Sequence, residues 1–169
     1  YTTSPASASV DANTPTITGA SAVPTAGTRM VGETITVTLT VDDGATDTGM
    51  AAGSAVQTTV NGVAATGFAD NGDGTYSYTY TVQEGDTDRA ANALPVSLTV
   101  KDGAGNEVSA YTTSPSQSSS VDANTPTVSQ ATVTPSSGTR KVGDTVVVTL
   151  TVDDGSTDTG LLAGTSAQS

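Results

Sequence analysis

The sequence predicts an all-β protein assembled from repeated sandwich units, and three observations lead to that class. Apolar and polar residues alternate with period two in several short segments, as they do in half-buried strands. Clusters of Asp, Asn and Gly separate these segments and are typical of tight turns. The chain also repeats itself at an offset of 111 residues, so one unit has the size of an ordinary domain.

Identical stretches of sequence define the repeat. The motif DANTPT at 11–16 returns at 122–127, and VTLTVDDG at 37–44 returns letter for letter at 148–155. We therefore expect three parts. Residues 1–10 would be the last strand of a preceding repeat, residues 11–121 one complete repeat, and residues 122–169 the N-terminal part of the next repeat.

The strongest strand signal lies at 34–41, where Ile35, Val37 and Leu39 share one face and threonines occupy the other. No segment shows helical periodicity. The remaining expected strands are 75–82 and 95–100, which alternate clearly, and 16–22, 55–60, 63–69 and 107–113, which do so more weakly. Seven short strands per unit, each with one apolar face, predict an immunoglobulin-like β-sandwich in head-to-tail tandem repeats of about 111 residues.

Two side-chain faces allow more than one interpretation. Tyr76, Tyr78 and Tyr80 point the same way along one strand, so they could form a sugar-stacking platform, but their register favours the core. The evenly spaced threonines of 34–40 could form an ice-binding face. The high strand propensity of Thr and the twist of sandwich sheets favour an ordinary solvated face instead.

Composition excludes several classes of function. The chain has no Cys and no His, which removes disulfides, thiol nucleophiles and imidazole ligands or bases, and its acids lie on polar loops without a cleft. We therefore do not expect an enzyme. A net charge of −12 with five scattered basic residues argues against nucleic acid as a partner. The same charge and the lack of a long apolar run argue against direct membrane insertion.

Acidic and amide side chains are expected to gather at the two poles of the unit, because the chain reverses direction at every strand. One pole would carry Asp11, Asn13, Asp42, Asp43, Asp102 and Asn106, and the other Glu84, Asp86 and Asp88. In a head-to-tail array the second pole would face the linker and the next unit, with Asp122, Asn124, Asp153 and Asp154.

Carboxylates that converge at such a junction would repel one another unless a cation lay among them. An all-oxygen ligand set favours calcium over zinc or copper, so calcium is the expected cofactor, with these thirteen residues as candidate ligands. The alternative is that Asp, Asn and Gly simply form good turns and keep the surface soluble.

Three motifs together resemble bacterial Ig-like repeats: VDANTPT at 121–127, NGDGTYSYTYTV at 71–82 and LTVKDGAGN at 98–106. Such repeats follow one another in large adhesins, so the resemblance implies the fold and an extracellular, cell-surface location. The pairing of Asp122 and Asn124 with the acids at 84–88 is similar to cadherin junctions, where such groups hold calcium. The 84–88 loop differs from the cadherin pattern in detail.

These observations predict a structural module of a stalk, fibre or filament whose partners are neighbouring repeats of the same chain. One alternative is a surface-layer or filament subunit in which identical chains exchange strands in a fibre or lattice. The other is an Ig-like module that binds a carbohydrate or a protein partner. The Ser-rich segment 114–120 could also carry O-linked sugars.

Overall fold

The computed structural model describes residues 10–44, 49–54, 57–116, 119–153 and 155. These residues form an all-β protein, and no helix occurs among them. The strands are β1 (Thr16–Val23), β2 (Thr28–Arg29), β3 (Thr34–Asp42), β4 (Ala51–Ala52), β5 (Thr59–Val60), β6 (Val63–Ala64), β7 (Thr66–Asp70), β8 (Thr75–Thr81), β9 (Val96–Ser97), β10 (Val100–Lys101), β11 (Ser120–Val121), β12 (Thr127–Thr134) and β13 (Val147–Asp153).

The largest sheet has four antiparallel strands in the order β1-β3-β8-β7. In its centre Val37 of β3 lies opposite Tyr78 of β8, while Thr38 lies opposite Ser77. The period-two alternation of both strands therefore puts apolar residues on one face of the sheet and hydroxyl residues on the other.

A second group of strands is built from shorter pieces. β5 pairs with β6 and β9, and β10 pairs with β4. Isolated bridges from Leu98 to Tyr111 and from Lys101 to Glu107 continue this pairing on the other side of β9 and β10. β11 runs parallel to β2, which places the end of the unit beside its beginning.

Apolar residues from both groups of strands form one buried cluster, which is the arrangement of a β-sandwich. Because no disulfide crosslinks the chain, the burial of this cluster stabilises the fold, at roughly 25 cal/mol per Å² of apolar surface. Its largest fully buried side chains are Tyr78, Tyr80, Ile35, Leu39, Leu94, Leu98, Val37, Val60, Val82 and Val100.

The core assignment of the three tyrosines is confirmed, since Tyr76, Tyr78 and Tyr80 are only 7%, 2% and 1% exposed. The hydroxyl of Tyr78 donates a hydrogen bond to the carbonyl of Thr99 at 2.8 Å. The hydroxyl of Tyr80 donates to Asp86 Oδ2 at 2.8 Å and accepts from the side-chain amide of Asn61 at 3.0 Å. Burial raises the pKa of both phenols, that of Tyr80 to about 12.

The strand predictions hold best where the alternation is longest. The segments 16–22, 34–41 and 75–82 are confirmed to within one residue at each end. The expected strand 95–100 is split into β9 and β10, and 107–113 contributes only bridges at Glu107 and Tyr111. The short strands β2 and β4 were not expected, because two paired residues leave no periodic pattern.

A hairpin of β12 and β13 repeats the pairing of β1 and β3 at the 111-residue offset. Thr127 lies opposite Asp153 as Thr16 lies opposite Asp42, and both hairpins have a bulge one residue further on. Their burial differs sharply. The core-facing residues of the first hairpin are buried, whereas Val128, Val148 and Leu150 of the second are 54 to 60% exposed.

Candidate functional site

The loop that follows β8 forms several hydrogen bonds with the segment that leads into β12. We call residues 83–89 the clamp loop and residues 122–126 the linker. Both Glu84 carboxylate oxygens accept hydrogen bonds from Thr125, one from its backbone N–H at 3.0 Å and one from its hydroxyl at 2.5 Å. Both hydrogen bonds lower the pKa of Glu84, and the bond from the Thr125 hydroxyl has the larger effect. Ionised Glu84 therefore accepts hydrogen bonds from a residue that lies 41 positions further along the chain.

Asp88 forms the second half of this grip. Its Oδ1 accepts from the backbone N–H of Ala123 at 2.8 Å, and its Oδ2 accepts from the side-chain amide of Asn124 at 2.9 Å. Hydrogen bonds to a charged acceptor are stronger than neutral ones, and two bonds to one planar carboxylate fix its orientation. Two carboxylates of the clamp loop thus hold three consecutive linker residues.

Backbone hydrogen bonds extend this contact at the start of the linker. The N–H of Gly85 donates to the carbonyl of Ala123 at 2.9 Å, and Arg89 exchanges two backbone hydrogen bonds with Val121 at 2.8 and 2.9 Å. Val121 is 3% exposed and Ala123 is fully buried. The start of the linker is therefore packed into the buried cluster of the sandwich, and a larger side chain than that of Ala123 would not fit there without movement.

Asn124 of the linker, and Asn13 at the equivalent position 111 residues earlier, each lie against a glycine in the loop that follows the next long strand. A Cβ added to Gly155 would come within 2.9 Å of Asn124 Cγ, and one added to Gly44 would come within 3.6 Å of Asn13 Nδ2. Both glycines have positive φ, +83° and +78°, which glycine adopts without strain. Asn124 consequently touches the clamp loop on one side and the end of the β12–β13 hairpin on the other.

Only some of the acidic residues expected at the two poles form hydrogen bonds with the linker. Asp88 accepts a hydrogen bond from the side chain of Asn124, and Glu84 accepts from the next residue, Thr125. Asp86 faces away from the linker and accepts from Tyr80 and from the backbone N–H of Gln83 at 2.9 Å. Asp86 therefore belongs to a polar network at the edge of the core.

Several other candidate ligands close their own turns. Asp11, Asp42, Asp122 and Asp153 each accept the backbone N–H two residues further on, at 3.0 to 3.3 Å. Asp102 accepts from the backbone of Gly105 and from the backbone and side chain of Asn106, at 2.7 to 2.8 Å. Asp43 directly follows the last residue of β3, and Asp154 lies outside the described residues.

Calcium remains a prediction. Among the described residues, no group of three or more acidic side chains is close enough together to hold a metal ion. The geometry does show that Glu84 and Asp88 are already compensated by amide and hydroxyl donors, so their proximity to other acids does not by itself require a cation.

The sequence did not indicate the residues that receive the clamp. Ala123 donates only through its backbone N–H, and Thr125 does so in part, and every residue except proline has such a group. A buried network behind the clamp loop was also not expected. Asn61, at a φ of +57°, donates from its side-chain amide to the carbonyl of Thr87 at 2.8 Å and accepts from Arg89 Nε at 2.7 Å. The Asn-Gly pair at 61–62 signals a tight turn, but not that its amide anchors this loop.

Comparison with protein-family models, with curated proteins and with solved structures gave no match for the chain. Within the described residues, no helix has the length and apolar character needed to cross a membrane.

Proposed function

We propose that the chain is a structural segment of an extracellular, cell-surface protein, in which Ig-like units follow one another and form a stalk, fibre or filament. Its role is mechanical: each unit adds length, and each junction limits the bending between units. The observation that carries this proposal is the grip of the clamp loop on the linker. A connection meant only to tether two domains would not need hydrogen bonds at three consecutive linker residues.

The strand pairing supports an Ig-like unit. The order β1-β3-β8-β7 corresponds to strands A-B-E-D of such a sandwich, and β4, β5, β9 and β10 with the bridges at Glu107 and Tyr111 correspond to C, F and G. The recurrence of the same hairpin register at 127–153 supports a second unit of the same kind.

Backbone order in the linker tests the mechanical role. We expect ¹⁵N relaxation to give residues 122–125 order parameters close to those of β3 and β8, about 0.85, at neutral pH. A free tether would give values below about 0.6 for these amides and would contradict a stiff junction. The turn at 71–74, which lies outside the junction, provides the comparison for an ordinary exposed loop.

Calcium at the junction is the second part of the proposal. Carboxylate and carbonyl oxygens of the linker and of the two neighbouring loops are the ligand type that calcium prefers. We expect thermal unfolding of the chain to shift upward in calcium relative to chelator, by an amount that grows with concentration. Saturation at about 100 times Kd would add about 2.7 kcal/mol. An unchanged midpoint would remove calcium from the proposal and leave the hydrogen-bonded junction intact.

The exposed face of the β12–β13 hairpin favours one alternative, assembly of identical chains by strand exchange. Residues 148–153 of β13 repeat the sequence of residues 37–42 of β3, so β13 could pair with β8 of a neighbouring chain in the place of β3. Concentration-dependent dimers or filaments in light scattering would support this function. L150D should abolish them, whereas V147D on the opposite face of β13 should not. A chain that stays monomeric at high concentration would contradict strand exchange.

A further inference from the structure

Asn61 lies behind the clamp loop, in the turn between β5 and β6, and is only 5% exposed. Its side-chain nitrogen donates to the carbonyl of Thr87 at 2.8 Å, and its side-chain oxygen accepts from Arg89 Nε at 2.7 Å. These two partners are the residues on either side of Asp88, which accepts two hydrogen bonds from the linker. A residue of the second group of strands therefore holds the chain on both sides of Asp88.

The hydrogen bonds leave the Asn61 amide only one orientation. The carbonyl of Thr87 can only accept and Arg89 Nε can only donate, so the amide nitrogen faces the first and the amide oxygen the second. The same nitrogen also donates to the hydroxyl of Tyr80 at 3.0 Å, and that hydroxyl donates in turn to Asp86 Oδ2 at 2.8 Å. Asn61 and Tyr80 together thus hold clamp-loop residues 86, 87 and 89.

The clamp loop consequently has two sets of contacts. Residues 86, 87 and 89 are held from inside the sandwich, whereas Glu84 and Asp88 accept hydrogen bonds from the linker. We propose that Asn61 is the positioning residue of the junction: it holds the clamp loop where its carboxylates meet the linker, so the core of the sandwich sets the stiffness of the junction. This inference rests on the proposed function, because positioning matters only where the junction limits bending.

Short hydrogen bonds make the junction sensitive to the position of the clamp loop. Asp88 accepts from the backbone N–H of Ala123 at 2.8 Å and from the side chain of Asn124 at 2.9 Å. A displacement of Asp88 by about 0.8 Å directly away from these donors would stretch the bonds to about 3.6–3.7 Å, which is beyond hydrogen-bonding distance. Loss of the Asn61 contacts would allow such a displacement, because they hold the chain on both sides of Asp88.

The role depends on asparagine at this position. Asn61 has a φ of +57°, a conformation that asparagine and glycine adopt more readily than most residues. Glycine would keep the turn but has no amide, and ionised aspartate would keep an acceptor for Arg89 but has no hydrogen to donate to Thr87. The backbone N–H of Asn61 donates to the carbonyl of Pro95 at 2.8 Å, so the turn has an anchor that does not involve the side chain. N61G therefore removes the contacts with the clamp loop and leaves this anchor in place.

Amide hydrogen exchange of the whole chain, read by NMR at neutral pH with chelator present, tests this role. We expect N61G to lower the protection factors of the Ala123 and Thr125 amides roughly tenfold, the change that the loss of about one net hydrogen bond implies. The matched control is N92G, since Asn92 also has a positive φ, +63°, but is exposed. The amides of β3 and β8 should lose no more protection in N61G than in N92G.

A second variant, R89A, removes the bond to Asn61 Oδ1 and keeps the two backbone hydrogen bonds of residue 89 with Val121. It should lower the protection of the Ala123 amide about threefold, and it decides alone if N61G does not fold. The positioning role is refuted if Ala123 keeps its protection in the folded variants, or if all amides lose protection by one common factor. A wild-type linker with order parameters below about 0.6 would instead refute the stiff junction itself.

Discussion

The fold can be tested at two glycines that look alike in the sequence. Gly53 follows β4, and an added Cβ there would lie 2.6 Å from both the carbonyl carbon and the Cβ of Thr99, and closer still to its hydroxyl oxygen. Gly19 lies in the bulge of β1, where an added Cβ has nothing within 4 Å. Neither glycine has a positive φ, so steric contact alone separates the two positions.

The expected size of the effect follows from these contacts. A methyl group at Gly53 would have to push two strands apart by about 1 Å, and such overpacking costs about 1–3 kcal/mol. The movement would also stretch the bonds that the Gly53 N–H donates to Thr99 O and to the Tyr78 hydroxyl, both 3.2 Å long, at about 1 kcal/mol each. We therefore expect G53A to lose about 3–5 kcal/mol. G19A should be neutral or stabilising by about 0.4–1 kcal/mol.

Urea denaturation followed by tyrosine fluorescence measures both variants, since the chain has five Tyr and no Trp. With the m-value usual for small domains, G53A should lower the midpoint by roughly 1 M or more. The double variant G53A/T99A should not recover, because the backbone carbon of Thr99 remains in the way. Unfolding of G53A within about 0.5 kcal/mol of wild type would refute this account of the packing, as would an equal loss in G19A.

Two further predictions concern the core. L39A should cost about 2–5 kcal/mol of stability, because Leu39 is fully buried. Leu150, at the equivalent position in β13, is 54% exposed, so L150A should change stability by less than about 0.5 kcal/mol. Denaturant midpoints of the two variants test this, and equal losses would contradict the difference in burial. Y80F should reduce the alkaline loss of stability. The folded-state pKa of Tyr80 is raised from 10.0 to about 12, so the stabilisation is complete below pH 10 and is lost as the pH rises toward 12. Urea midpoints on either side of that window check this, and an unchanged pH dependence in Y80F would contradict it.

The long strands could be predicted from sequence because burial of one face leaves a periodic mark. Ile35, Val37 and Leu39 alternate with threonines, and the structure buries all three. The pieces of the second group, such as β4 and β10, pair over only two residues each. Their position is set by tertiary contacts, such as that of Gly53 with Thr99, and no local sequence pattern predicts such contacts.

The junction was predictable in part for a similar reason. Chain reversal placed the loop containing Glu84 and Asp88 at the same end as Asn124, and these groups do meet. What the sequence could not show is which donors reach the carboxylates. The backbone N–H groups of Ala123 and Thr125 have no signature of their own, and the role of Asp86 depends on a tyrosine hydroxyl from the core.

The parallel pairing of β2 with β11 has a consequence for a chain under tension. The two strands are far apart in sequence but adjacent in the fold. The backbone N–H groups of Ser120 and Asp122 donate hydrogen bonds to the carbonyls of Gly27 and Arg29. A pull applied along the polypeptide would drag the two strands past each other lengthwise. The two hydrogen bonds would then be loaded together in shear, instead of breaking one after the other as they would if the strands were peeled apart.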